Sequence, residues 1–354
     1  MKLPLTNHIY KPIHLNTQIN CLFTMERSSS KKNEPIGKLT MKEPYVKKRF
    51  LSEHIRGYID LLRPFTLLPP FIISMSIIVA SLVYNNAEVG ANWWVTVGNA
   101  SLTIAMVNAA SNALNQATDK EGDKISKPYR PIPRGIIAAD EAQSLAYILY
   151  LFALLRAVTI NQWFGLFIFL IMVFTVLYSL PPRTKKYLFF NQVWIAIPRG
   201  LFGILASWSV FGNPLQTLPL SMGLFATIYL IGGTTTKDIV DEKADRLMGV
   251  KTLVNVFGLR RAAVISFPFL VIPFIGIPVL IDYGFLDQYL WPLTGLMIGS
   301  LIVFYLMIIG DTESQTLENI HAWSVMYVIY IFYALGFSIL TIFQEPLQQF
   351  LSFT

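Results

Sequence analysis

The feature that most constrains this chain is a series of apolar stretches, each about 20 residues long, that recurs between residues 65 and 343. That length is what a helix needs to cross a bilayer, and helices are the usual element there because they pair their own backbone groups. Only 14% of the residues are charged, whereas a soluble chain carries about 25%. The single cysteine also excludes a disulfide-stabilised scaffold. The sequence therefore predicts an all-α, polytopic membrane protein.

The predicted spans number nine, and their approximate limits are 65–84, 93–114, 142–160, 163–181, 191–211, 215–235, 262–281, 290–310 and 322–343. Of the 28 Lys and Arg residues, 26 lie in residues 1–63, 115–141, 181–190 and 236–261. The segments that face the opposite side contain neither residue type. The positive-inside rule thus predicts a cytoplasmic N-terminus and three cytoplasmic basic loops. The net charge of +7 then reflects membrane orientation and not nucleic-acid binding.

The N-terminal region differs from the rest of the chain. Residues 1–52 are basic and contain no stretch long enough to cross a membrane, so we expect a disordered cytoplasmic tail near anionic lipid. Residues 53–63 indicate an amphipathic helix at the membrane surface. A single transmembrane domain is predicted over residues 53–346.

Two short segments hold seven of the 21 acidic residues, and both directly follow an apolar stretch. At 100° per residue, Asn115, Asp119 and Asp123 fall within about 80° on one helix face. By the same arithmetic, the second segment places three carboxylates within about 60°: Asp238, Asp241 and Asp245. Both groups are predicted at the cytoplasmic edge of the membrane.

Carboxylates stacked on one face repel each other, so something should compensate their charge. Oxygen donors without cysteine or paired histidine suit a hard cation such as Mg²⁺ or Ca²⁺ better than zinc. Nearby basic residues could bind phosphate groups: Lys127, Arg130, Arg134, Lys237 and Arg246. These residues predict a site for a metal and a diphosphate, although either segment alone could be a solvated helix end.

Several motifs are similar to those of a known family. Residues 115–135, NQATDKEGDKISKPYRPIPRG, and 237–253, KDIVDEKADRLMGVKTL, resemble the two signatures of the UbiA superfamily of intramembrane prenyltransferases. The stretch LYSLPPRTKK at 177–186 and the pair Arg63-Pro64 also resemble family motifs. The resemblance covers about residues 55–343, in the family's order. Gln116 stands where many members carry Asp, which leaves the predicted metal face intact.

The resemblance implies a nine-helix bundle that uses Mg²⁺ to transfer a polyprenyl group, such as geranylgeranyl, from its diphosphate. It assigns two metal sites, formed by Asn115, Asp119 and Asp123 and by Asp238, Asp241 and Asp245. It assigns catalytic roles to Asp119, Asp123, Asp241, Asp245 and Tyr178. It assigns diphosphate contacts to Lys127, Arg130, Arg134, Lys185 and Lys237.

The acceptor stays open at this point. Candidates are an aromatic acid or quinone precursor, a chlorophyllide-type ring and a glyceryl phosphate lipid. The motif sequences are most similar to those of digeranylgeranylglyceryl phosphate synthases and chlorophyll synthases within the family.

Arg199 lies about eight residues into the fifth predicted span. An ionisable residue inside a span is by default a functional candidate, so we consider Arg199 a possible cavity residue. The alternative is an anchor that extends to the interface. A membrane transporter or channel is the alternative function, but such a protein should carry its polar residues near mid-membrane.

Overall fold

The computed structural model describes residues 51–309 and 321–347, and within them it is helical with no β-strand. The predicted tail, 1–52, lies almost entirely outside the described residues. The first half of the chain forms eight α-helices: α1 (Leu51–Leu62), α2 (Pro64–Tyr84), α3 (Trp93–Thr118), α4 (Lys120–Ser126), α5 (Ala139–Ile160), α6 (Gln162–Ser179), α7 (Phe190–Ile197) and α8 (Gly203–Trp208). The second half adds six: α9 (Thr217–Gly233), α10 (Asp238–Leu247), α11 (Leu253–Phe257), α12 (Leu259–Asp282), α13 (Met297–Ile309) and α14 (His321–Ile342).

Seven helices of the described part are long and apolar enough to cross a membrane. The predicted count of nine is not confirmed, because two predicted spans do not meet that measure. The first lies in α3, whose polar side chains, among them Asn108 and Asn112, lower its hydropathy. The second, 191–211, is broken into α7, a π-helical segment (Pro198–Phe202) and α8. The π turn begins at Pro198, which has no backbone N–H to donate.

Two apolar clusters hold the bundle together. One joins α2 to α9, α12, α13 and α14, with Trp208, Phe274 and Phe337 fully buried. The other joins α3, α5 and α6 around small residues and Phe164. Small residues let helices approach closely in a membrane, where packing replaces the hydrophobic driving force.

The outer surface is apolar where a soluble protein would be polar. The exposed face of α5, for example, carries Leu151, Phe152, Leu155 and Val158, each more than half exposed. A continuous exposed apolar surface of this kind marks contact with lipid. The protein is therefore an integral, multi-pass membrane protein.

Amide side chains of α3 hold the end of α1 in place. Asn112 Nδ2 donates to the Leu62 carbonyl at 3.0 Å, and Gln116 Nε2 donates to the Leu61 carbonyl at 2.7 Å. These carbonyls are the free C-terminal groups of α1, which otherwise lack partners. Between α1 and α2, Arg63 adopts a left-handed conformation with φ 57°.

Candidate active site at one end of the bundle

The first acidic segment lies where α3 gives way to α4. Asp119 separates the two helices, and Asp123 lies in the first turn of α4 with only 4% of its surface exposed. Asp119 accepts hydrogen bonds from Arg183 Nη2, at 2.8 Å, and from Lys185 Nζ. Arg130 Nη1 donates to Asp123 Oδ2 at 2.8 Å. Each carboxylate thus faces a cation of the chain.

The second acidic segment is α10 itself. Asp238 opens this helix and is 1% exposed, and it accepts hydrogen bonds from Asn191 Nδ2 at 3.2 Å and Gln192 Nε2 at 3.4 Å. Lys237 Nζ lies 3.6 Å from Asp238 Oδ1. Asp241 and Asp245 follow at helical spacing, as the sequence predicts, and both line the same cavity.

One ion pair joins the two segments. Lys127 follows α4 and donates through Nζ to Asp241 on α10, across 114 residues of sequence. Helices α4 and α10 pack against each other at this point. The two acidic segments therefore form one site.

Tyr178, at the end of α6, connects the cations to the second segment. Lys237 Nζ donates to its hydroxyl at 2.9 Å, and that hydroxyl donates to Asn191 Oδ1 at 2.9 Å. Lys185 Nζ lies 5.6 Å from the centre of the ring, within the range of a cation–π contact, whereas Lys237 Nζ, 5.5 Å from the centre, lies beyond the hydroxyl edge of the ring. The phenol is thus fixed between two lysines and the amide that binds Asp238.

Burial makes these charges depend on one another. Burial raises the pKa of Asp123, and the Arg130 guanidinium acts against that rise. Burial lowers the pKa of Lys185, and the Asp119 carboxylate acts against that fall. A buried charge that loses its partner is strongly destabilising, so both segments need positive charge close by.

The acidic segments lie at one end of a cavity of about 300 Å³. Further inside, the wall becomes apolar and aromatic and includes Ile104, Trp194 and Tyr330. The predicted site residues that line the cavity are Asn115, Asp119, Asp123, Lys127, Arg130, Tyr178, Lys185, Arg199, Lys237, Asp238, Asp241 and Asp245.

Two predicted basic residues do not line the cavity: Arg246, which pairs with Glu242 on the surface of α10, and Arg134. Arg134 is exposed in the turn that precedes α5 and does not line the cavity wall. Its assignment rested on closeness in sequence to Arg130, but the turn directs the chain away from the site.

Sequence analysis missed Arg183, Asn191 and Gln192. Arg183 lies inside the stretch LYSLPPRTKK but was not assigned a role, and Asn191 and Gln192 were counted as part of an apolar span. The sequence does show Asn191 and Gln192 as two adjacent amides in an otherwise apolar stretch. The structure shows that both are almost fully buried.

In the described part of the chain, no three His, Cys, Asp or Glu side chains are gathered as a ready metal cluster. The carboxylates face the cations of the chain instead. The donors are nevertheless oxygen atoms of Asp and Asn on two facing elements, which is the donor set that Mg²⁺ prefers. The residues present therefore fit Mg²⁺ better than a softer metal.

Known proteins resemble this chain along most of its length. The UbiA prenyltransferase family matches residues 74–328. Digeranylgeranylglyceryl phosphate synthase of Methanosphaera stadtmanae is 25% identical over 287 residues, which cover 79% of this chain and 98% of that protein. Probable homogentisate phytyltransferase 2, chloroplastic, of Oryza sativa subsp. japonica is 27% identical over 295 residues, 77% of this chain and 76% of that protein.

Solved structures share the fold. A UbiA homologue from Archaeoglobus fulgidus bound to GPP and Mg²⁺ superposes with a TM-score of 0.61 at 20% identity, over 81% of this chain and 99% of that one. A UbiA homologue from Aeropyrum pernix K1 gives 0.58 at 16% identity, over 76% and 96%.

The membrane-embedded helical bundle, with a charged site at the end of a cavity, agrees with the family match over more than half of the chain. The chain belongs to the UbiA prenyltransferase family. The predicted all-α membrane fold and the predicted enzyme class, a prenyltransferase, are confirmed.

Arg130→Ala should destabilise the protein much more than Lys124→Ala. The first change leaves the buried Asp123 carboxylate unpaired, which costs about 3–5 kcal/mol. Lys124 pairs with Glu121 at positions more than half exposed, where a pair contributes about 1 kcal/mol or less. Thermal unfolding in detergent measures both. Equal shifts in Tm would show that the Asp123–Arg130 pair does not support the site.

Proposed function

We propose that this protein transfers a polyprenyl group from its diphosphate to a hydrophobic acceptor at the membrane, in a reaction that requires Mg²⁺. The observation that carries the proposal is the cavity itself. One end combines buried carboxylates with several basic side chains, and much of the remaining wall is apolar or aromatic. Such a cavity suits a molecule with a polyanionic head and a long hydrocarbon tail.

The metal-binding residues in this proposal are the oxygen donors of the two acidic segments, Asn115, Asp119 and Asp123 on one side and Asp238, Asp241 and Asp245 on the other. Bound Mg²⁺ supplies positive charge to a diphosphate as it leaves. Two solved structures of a UbiA homologue from Archaeoglobus fulgidus support the choice of metal and donor, since one is bound to GPP and Mg²⁺ and the other to DMAPP and Mg²⁺.

The diphosphate contacts fall to cations that already line the cavity beside the aspartates: Lys127, Arg130, Lys185 and Lys237, to which we add Arg183. Each of them now balances a carboxylate or a neighbouring hydroxyl. They lie beside the carboxylates before the donor binds, so each can exchange its present partner for a phosphate oxygen and stabilise the charge that develops on the leaving group.

Tyr178 is the aromatic side chain best placed beside the reacting carbon. Loss of diphosphate leaves positive charge on the allylic carbon, and the face of an aromatic ring attracts a cation. The Tyr178 ring lies between Lys185 and Lys237, where the diphosphate head would bind. The apolar cavity beyond keeps water away from the carbon until the acceptor attacks.

The donor chain and the acceptor are proposed from the relatives. Seven of the similar proteins are digeranylgeranylglyceryl phosphate synthases, and one is a probable homogentisate phytyltransferase. We therefore propose a geranylgeranyl donor and a glyceryl phosphate lipid or an aromatic acceptor. A transporter or channel is less well supported, because the carboxylates cluster at helix ends rather than at mid-membrane.

Asp119→Ala and Asp241→Ala should each lower prenyl transfer by roughly 100-fold or more, because each removes a proposed metal ligand that stabilises the leaving charge. Transfer of labelled geranylgeranyl groups by the purified protein, with Mg²⁺ and a panel of acceptors, measures the effect. EDTA should abolish transfer by the wild-type protein.

Glu121→Ala and Glu242→Ala are matched controls, because each removes a carboxylate of the same segment that pairs with an exposed basic residue. Both should keep wild-type transfer. Full turnover in either aspartate variant would mean that the metal assignment is wrong.

We further propose that the N-terminus, the basic tail over residues 1–52 and the loops that carry the site face the cytoplasm, with residues 53–346 as the transmembrane domain. The asymmetric distribution of Lys and Arg supports this orientation. A reporter inserted after Asn213, between α8 and α9, should therefore lie outside the cytoplasm. A cytoplasmic signal at that position would contradict the orientation.

A further inference from the structure

Arg199 is a charged residue in a rigid, irregular part of the bundle. It lies in the π-helical segment between α7 and α8, and such segments often occur at functional sites. Its carbonyl accepts a hydrogen bond from the Tyr330 hydroxyl at 2.9 Å. Next to it, Gly200 packs so closely on α9 that a Cβ atom there would lie 2.6 Å from the Thr227 backbone nitrogen. The backbone that carries Arg199 is therefore fixed from two sides.

The Arg199 side chain lines the cavity and is exposed there, although it belongs to a membrane-embedded segment. Among the described residues, no carboxylate lies within ion-pair distance of it. Three other cations of the cavity wall, Lys127, Arg130 and Lys185, each pair with an aspartate. A cation directed into a low-dielectric cavity is costly unless it has an anionic partner.

A second arginine lines the same cavity. Arg63, at the junction of α1 and α2, is part of the cavity wall, as is Tyr327. The backbone around Arg63 is held by α3, since Asn108 Nδ2 donates to the Thr66 carbonyl at 2.8 Å. Two arginines on fixed backbone thus line the cavity together with Tyr327.

The backbone of Arg199 lies about two helical turns from the second acidic segment. Asn191, which binds Asp238, and Arg199 belong to the same helical run, eight residues apart, and this corresponds to about 12 Å along the axis. A stacked aromatic strip runs beside the arginines, with ring centres 4.9 Å apart for Trp323 and Tyr327 and 6.4 Å apart for Tyr327 and Tyr330. The cavity therefore has a second cationic region bordered by flat apolar surfaces.

We propose that Arg199, together with Arg63, binds the anionic group of the acceptor, a carboxylate or a phosphate. The inference rests on the proposed transferase function and names the acceptor class for the same cavity. Guanidinium groups bind both anions through paired N–H donors. An acceptor held at this end can place its nucleophilic atom toward the aspartates, while the aromatic strip contacts its ring or hydrocarbon.

Equilibrium binding to the full-length protein in detergent tests the proposal without turnover. The probes are two pairs that differ only in the anionic group: homogentisate with methylhydroquinone, and geranylgeranylglyceryl phosphate with its dephosphorylated alcohol. We expect one anionic probe to bind about 10- to 100-fold more tightly than its neutral partner, as charge-assisted hydrogen bonds allow. The pair that shows the preference distinguishes a carboxylate from a phosphate.

Arg199→Met should remove most of that preference, and Arg199→Lys should retain part of it. Neither should weaken binding of geranylgeranyl diphosphate with Mg²⁺. Arg156→Met is the matched control: Arg156 donates to Asn99 Oδ1 at 2.8 Å and does not line the cavity, so its loss should leave every probe unaffected.

The proposal is overturned if the wild-type protein prefers neither anionic probe, if Arg199→Met retains the preference, or if that variant weakens donor binding equally. The first of these outcomes is measured on the wild-type protein, so it does not depend on whether a variant folds. The two proposals also fail separately: anion-selective binding without prenyl transfer would refute only the transferase function. Transfer with an unchanged acceptor KM in Arg199→Met would refute only the role of Arg199.

Discussion

The site depends on the pairing of buried aspartates with the basic side chains of neighbouring loops. Asp123 and Asp238 are almost completely buried, and a buried carboxylate without a partner would destabilise the fold by several kcal/mol. Lys127 reaches from one acidic segment to Asp241 on the other. The charge pairs therefore bring two loops, far apart in sequence, to one end of the cavity.

The same pairs explain how one site could serve both a metal and a diphosphate. Carboxylates that now face lysine or arginine are the oxygen donors that Mg²⁺ prefers, and the basic side chains suit phosphate oxygens. When metal and donor bind together, each set of side chains can exchange a partner of the chain for one of opposite charge in the ligand. The interior then has to bind only hydrocarbon and acceptor.

Local spacing was enough to predict part of this arrangement. Helical periodicity placed the carboxylates of each segment on one face, since that depends only on the 100° turn per residue. It could not identify the contact between Lys127 and Asp241, which spans 114 residues and depends on how α4 and α10 pack. Arg134 and Arg183 show the same limit: closeness in sequence favoured the first, and the fold brings only the second to the aspartates. The count of nine spans is not confirmed, in part because a π segment interrupts a stretch that looks continuous in sequence.

The central claim is that metal and diphosphate replace the internal ion pairs. A structure of the protein with Mg²⁺ and a non-hydrolysable thio analogue of geranylgeranyl diphosphate tests it most directly. The account predicts metal density at both acidic segments, with Lys127 and Lys185 shifted from Asp241 and Asp119 to the phosphate oxygens. Ion pairs that stay intact while the analogue binds elsewhere in the cavity would contradict it.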